Sequence, residues 1–141
     1  GWTRAGRPAL RAGGGSVVFM VTLASGAAPS RVRQAAYAAS KGALTSAMYS
    51  MAREFGPHRI RVNTVLPGWM WGPPVQAFVR FTAHSEGLPE ADVLGRLTER
   101  MALPELATDG DVAEAAVFLA SDRARSITGQ SLLVNAGELM R

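Results

Sequence analysis

The sequence predicts an α/β fold whose strands run parallel, and three observations carry that expectation. Residues 16–23 are rich in valine and phenylalanine, as in a strand covered on both faces. A long helical pattern over residues 35–55 separates that run from a second one, residues 59–66. Strand, helix, strand at this spacing is a crossover unit, which makes the two strands parallel and their connection right-handed. A third strand, residues 131–135, arrives only after another helical segment that begins near Thr108.

Composition sets the frame. With 48% hydrophobic and 18% charged residues in 141, the chain suits a packed core and argues against general disorder; residues 1–141 amount to one domain's worth of material. No run of about eighteen apolar residues indicates a membrane span. The basic opening Gly1, Trp2, Thr3, Arg4 lacks the apolar stretch and small-residue cleavage site of a secretory leader. A soluble, cytoplasmic protein is expected. The absence of cysteine removes disulfides and thiolate metal sites and is compatible with a reducing compartment. His58 and His84 have no ligand-like cluster near them in sequence, so no metal site is expected. The formal charge of +4 rests on scattered arginines without a basic run or interleaved aromatics, so neither a nucleic-acid nor a membrane partner is expected.

Residues 1–12 read as the tail of a helix. Gly13, Gly14 and Gly15 precede a strand instead of following one, which makes them a helix-to-strand turn and not a phosphate-cradling loop. The small residues 24–30 form a loop at a strand end, where ligands of open α/β sheets tend to sit; Ser25 there is either a hydrogen-bond donor in a site or a loop serine capping a turn. In the helix over 35–55, Leu44, Ala47, Met48, Met51, Ala52 and Phe55 recur at spacings of three and four and form one apolar stripe, and Gly56-Pro57 ends it. Met48 and Met51 are core or subunit-interface filler. Residues 59–66 are the second strand, closed by a Pro67-Gly68 turn, and Asn63 within it is a structural hydrogen-bonder. Trp69 and Trp71 either line an apolar pocket or cap the core; two short helices follow, over 75–81 and 91–101. Thr108 and Asp111 make a capping-box signature before a helix with Val112, Ala115, Ala116 and Leu119 on one face.

Tyr37-Ala38-Ala39-Ser40-Lys41 is either the chain's chemical centre or a chance pairing on a helix, with Lys41 solvated and Tyr37 half-buried. Side chains four apart on a helix are neighbours, about 5–6 Å between Cβ atoms. Lys41 is the chain's one lysine beside fourteen arginines. A compact ammonium with rotatable donors serves where a guanidinium does not, namely beside a phenol and a second oxygen at close quarters. A nearby cation and the positive pole of a helix N-terminus both favour the ionised phenol.

These pieces in their order, the small polar strand end, Tyr37-Ala38-Ala39-Ser40-Lys41, Arg59-Ile60-Arg61-Val62-Asn63, Pro67-Gly68, and Ile127-Thr128-Gly129-Gln130 before a strand with Asn135 and Gly137, resemble the C-terminal half of a short-chain dehydrogenase/reductase. The resemblance spans about residue 9 to the C-terminus. It implies a partial Rossmann-type, doubly wound parallel sheet and an oxidoreductase that moves a hydride between NAD or NADP and a small carbonyl or alcohol substrate. It carries three roles onto matching residues. Tyr37 would be the general acid/base, Lys41 would favour the ionised phenol and hydrogen-bond the nicotinamide ribose, and Pro67, Gly68 and the backbone near Met70 would lie along the nicotinamide. Residues 69–104 would cover the substrate, and a dimer or tetramer of identical chains is expected.

Three departures accompany it. The serine that orients substrate in such proteins falls here on Ala24, so Ser25 takes the role if the loop shifts by one residue and Thr22 is the alternative. A threonine that contacts the carboxamide falls on Gly72. The glycine-rich pyrophosphate loop and the residue that chooses between NAD and NADP would lie upstream, so residues 1–141 alone are expected to be inactive. The competing expectation is a non-catalytic remnant or oligomerisation module that keeps only the helix stripes.

Overall fold

The computed structural model describes residues 13–22 and 35–140. In chain order these form strand β1 (Gly15–Met20), helix α1 (Ala35–Phe55), strand β2 (Ile60–Pro67), helices α2 (Pro73–Glu86), α3 (Glu90–Thr98) and α4 (Asp109–Ala120), and strand β3 (Ser131–Val134), with 3-10 turns at Gly56–His58 and Asp122–Ala124. The sheet runs β1-β2-β3, parallel throughout, with Met20 opposite Val65 and Pro67 opposite Val134. The helical tail expected over residues 1–12 lies outside the described residues, as does Ser25.

The period of two along the central strand decides which helix covers which face. Ile60 and Val62 join Met48 and Phe55 of α1, with Val17 and Phe19 of β1 packed against them. Val65 points the other way and joins Val112 and Leu119 of α4, together with Val18 and Val134. Helices on both faces of a parallel sheet make the doubly wound arrangement expected, and β2 is buried at every position but Arg61 because both of its faces are covered. A third cluster stands apart from the sheet: Val79 and Ala83 of α2 with Val93 and Leu97 of α3 and Leu106, bordered by Trp69 and Trp71.

Several boundaries and one stripe position differ from expectation: strand β1, expected over residues 16–23, ends at Met20. Arg59, expected to open β2, is in the left-handed region (φ 57) and caps the preceding 3-10 turn, so the strand begins at Ile60. Pro67, expected in the closing turn, is the last strand residue. The N–H groups of Thr64 and Gly68 donate toward β3, so the missing one of Pro67 faces the β1 side, where β1 has already ended. Helix α2 starts at Pro73 and runs to Glu86, because prolines at the first two helical positions omit N–H groups that a helix leaves unbonded anyway. Helix α3 ends at Thr98, short of Met101. Ala47 of the apolar stripe is exposed, since the packed face of α1 centres on Met48, Met51, Ala52 and Phe55. Met48 is fully buried, so it is core.

Helix α4 begins as its residues predict: the Thr108 hydroxyl accepts from the Asp111 N–H at 3.2 Å and the Asp111 carboxylate accepts from the Thr108 N–H at 2.7 Å. Its C-terminus is held by β2, whose Arg61 guanidinium donates to the carbonyls of Leu119, Ala120 and Ser121.

Candidate active site

Parallel strands bring their C-terminal ends to one edge of the sheet, and a ligand site of such sheets lies beyond that edge. Here the edge gathers Met20 at the end of β1 with Val21 and Thr22 after it, Pro67 and Gly68 at the end of β2, and Val134 and Asn135 at the end of β3. Helix α1 starts beside it. Tyr37 lies in the first turn of α1 and Lys41 one turn later, and the Lys41 Nζ lies 5.9 Å from the centre of the Tyr37 ring. The same Nζ donates to the Met20 carbonyl at 3.3 Å, which ties the ammonium to the end of β1. Tyr37 is 48% exposed, leaving its ring open to a ligand. Ser40, between the two, donates to the Tyr37 carbonyl at 2.8 Å, a contact within the helix.

Pro67 and Gly68 turn the chain away from the sheet with the Gly68 N–H on the Val134 carbonyl at 3.1 Å. A Cβ at position 68 would lie 2.8 Å from the Asn135 Cβ and 3.1 Å from the Glu138 Oε2, so the close approach of the two turns requires glycine. Asn135 is buried and shapes its own turn, accepting from the Gly137 N–H and donating to the Leu139 carbonyl. Met70 bridges to Ala107 and packs under α4. Thr22 lies just past β1 and is half-buried. Trp69 and Trp71 pack on the α2–α3 cluster, with Trp69 tilted against Phe78 at 5.3 Å, so they cap that cluster at the root of the hairpin. Among the described residues, no three His, Asp or Glu side chains come together as a metal site, and no helix is long and apolar enough to cross a membrane.

Asn63, fully buried, joins β2 to the 127–130 turn: its Nδ2 donates to the Ile127 carbonyl at 2.9 Å and its Oδ1 accepts from the Gln130 N–H at 3.0 Å. Two residues near the site carried no signal in the sequence, Arg100 and Glu138. They are thirty-eight positions apart yet paired at 2.6 Å. A groove of about 520 Å³ also opens along β3, between Leu103 to Ala107 and Leu133 to Gly137; neither Tyr37 nor Lys41 lines it.

The family profile of enoyl-(acyl carrier protein) reductases matches residues 2–138. The chain belongs to the short-chain dehydrogenase/reductase family. Among curated relatives in that fold, the carbonyl reductase [NADPH] 2 of Sus scrofa is 41% identical over 106 residues, covering 74% of this chain and 39% of its own length. The L-rhamnose 1-dehydrogenase (NAD(P)(+)) of Azotobacter vinelandii is 39% identical, covering 74% of this chain and 37% of its own length. Among solved structures, an oxidoreductase of the short-chain dehydrogenase/reductase family from Burkholderia thailandensis superposes with a TM-score of 0.81 at 34% identity, over 98% of this chain and 50% of that one. The carveol dehydrogenase of Mycobacterium avium, solved in complex with NAD, has a TM-score of 0.80 at 32% identity over 99% of this chain and 52% of its own. The chain thus spans about half the length, or less, of the relatives it matches. Its α/β architecture is that of the family's Rossmann-like sheet.

Proposed function

We propose that this chain carries the proton-handling end of an NAD(P)-dependent oxidoreductase acting on a small carbonyl or alcohol. The observation that carries the reading is the Tyr37–Lys41 pair, joined along the first turns of α1 and tied through Lys41 to the sheet's C-terminal edge. The residues fit a nicotinamide nucleotide. The Lys41 ammonium has three donors and spends one on Met20, leaving two for ribose hydroxyls and the phenol oxygen. Gly68 has no side chain, and the space a Cβ would take is filled by Asn135 and Glu138, so at Gly68 the turn offers only backbone to a flat ring.

When bound, the nicotinamide supplies or accepts the hydride. Tyr37 gives its phenolic proton to the substrate carbonyl oxygen in reduction and takes it back in oxidation. Lys41 stabilises the negative charge left on the phenol oxygen and orients the ribose. The backbone from Pro67 to Met70 would hold the nicotinamide, and residues 69–104, with Trp69, Trp71 and Phe78, would cover an apolar or bulky substrate. Ser25 orients the substrate oxygen, with Thr22 as the alternative donor. Relatives named for carbonyl reduction, sugar dehydrogenation and carveol dehydrogenation support a carbonyl or alcohol substrate, and their names include NADPH, NAD(P)(+) and NAD. We infer further that the active form is a homo-oligomer in the cytoplasm.

The test is Tyr37→Phe in the full-length protein, assayed against a panel of aldehydes, ketones and alcohols with both nucleotides. Turnover falls by about 10²–10⁴-fold, the range for loss of a general acid/base, while the nucleotide Kd stays within about twofold. Unchanged turnover refutes the role.

A further inference from the structure

The α2–α3 hairpin has its own apolar core and packs on itself, not along a strand of the sheet. Its attachments are therefore its two roots. The incoming root is stitched by the Trp71 N–H on the Ala107 carbonyl at 2.8 Å, beside the Met70–Ala107 bridge. The outgoing root is stitched to the turn after β3: the N–H groups of Ala102 and Leu103 both donate to the Ala136 carbonyl, at 2.9 and 3.0 Å, and Arg100 donates to Glu138 Oε1 at 2.6 Å.

Glu138 is the unusual member of this set. Its side chain is only 6% exposed, whereas that of Arg100 is 46% exposed. One carboxylate oxygen has its cation. The other is buried without a hydrogen-bond partner and stands 3.1 Å from where a Gly68 Cβ would be. The Gly68 N–H cannot relieve it, because it is committed to Val134. An unpartnered buried carboxylate oxygen is unfavourable, so surrounding contacts must hold it there; Arg100 and the Glu138 N–H on the Asn135 carbonyl do so.

We propose that Glu138 is a positioning residue: gripping Arg100 with one oxygen and backing Gly68 with the other, it fixes the Pro67–Gly68 turn relative to the root of the hairpin. Any ligand lying on that turn and under the hairpin then meets a preset surface. The consequence for the nicotinamide rests on the function proposed above; the consequence for the turn does not.

The experiment uses the full-length protein with Glu138→Gln, which keeps shape and burial, Arg100→Ala, their double variant, and Arg100→Lys as the conservative rescue. Hydrogen exchange is followed on the peptide covering residues 68–72, with amides of β2 and α4 as the internal control, and NADH and NADPH Kd values are measured by tryptophan quenching. Exchange at 68–72 is expected to rise about tenfold in Glu138→Gln, Arg100→Ala and the double variant alike, with β2 and α4 unchanged. The nucleotide Kd rises by about tenfold alongside it, and Arg100→Lys returns both to within about threefold of wild type. Unchanged exchange at 68–72 overturns the proposal. So does an acceleration shared by β2 and α4, which marks a merely structural role; faster exchange at the turn with an unaltered Kd overturns its consequence for the nicotinamide. If the wild-type protein binds neither nucleotide while the turn alone exchanges faster in the variants, the cofactor reading fails and the positioning of the turn by Glu138 stands.

Discussion

Replacing Gly137 with alanine tests how closely the turn after β3 and the outgoing root of the hairpin are fitted together. Gly137 has φ 81, and a Cβ there would lie 2.5 Å from the Ala102 Cβ and 3.2 Å from the Ala102 nitrogen. Two costs add. An L-residue in the left-handed region costs roughly 1–2 kcal/mol, and forcing a methyl into a filled contact costs about 1–3 kcal/mol, so Gly137→Ala destabilises by about 2–5 kcal/mol. The neighbouring Ala136 already has φ 52, so the turn tolerates one alanine in that region where space allows, and the steric part can be isolated. Ala102→Gly removes the 2.5 Å contact and leaves the backbone strain. By itself it costs about 0.4–1 kcal/mol through the freer unfolded chain. In the double variant the methyl clash is gone, so the two changes couple favourably by about 1–3 kcal/mol. Urea denaturation of the wild type, both single variants and the double variant, followed by circular dichroism and tryptophan fluorescence, measures the cycle. A Gly137→Ala cost below about 1 kcal/mol, or strict additivity in the double variant, refutes the fit described for these two segments.

Other substitutions read different parts of the fold. Asn63→Ala strips partners from the Ile127 carbonyl and the Gln130 N–H, both bonded to a fully buried side chain; with about 1–3 kcal/mol for each group left unpaired, the urea midpoint should fall by the equivalent of about 2–6 kcal/mol, and a loss under about 1 kcal/mol contradicts the bonding. At the start of α4, the Thr108 N–H and then the Thr108 hydroxyl hold the Asp111 carboxyl below its ordinary value of 3.8. A carboxyl whose folded-state pKa is depressed stabilises above its unfolded pKa and loses that contribution as pH falls through the folded one. The stability difference between wild type and Asp111→Asn should therefore be constant above about pH 5 and shrink as the pH drops below 3.8. A difference that does not change across that acid range argues against the cap bond. Thr108→Ala, which removes the hydroxyl half of the cap, should cost about 1 kcal/mol.

Residues near in sequence made much of this protein legible. The parallel sheet, α1 and the capping box of α4 all depend on periods of two or 3.6 and on caps within three residues, and such short-range patterns are written in consecutive side chains. Tyr37 and Lys41 were legible for the same reason, since one helical turn sets their approach. The order of the short motifs also sufficed to suggest the family, to which the match over residues 2–138 assigns the chain.

What tertiary structure alone decided depends on segments far apart in the chain meeting at the sheet edge. Only the packed fold shows that Lys41 reaches the Met20 carbonyl, that Arg61 caps α4, and that Gly68 must be glycine because Asn135 and Glu138 stand behind it. The length of α2 was hidden because prolines, read locally as breakers, are harmless in a first turn. The Arg100–Glu138 pair left no trace in spacing or periodicity, because nothing local links a residue past α3 to one past β3. Local preference writes the elements and the Tyr37–Lys41 pair into the sequence; where the ends of those elements touch is settled by packing, and the turn at Gly68 takes its shape there.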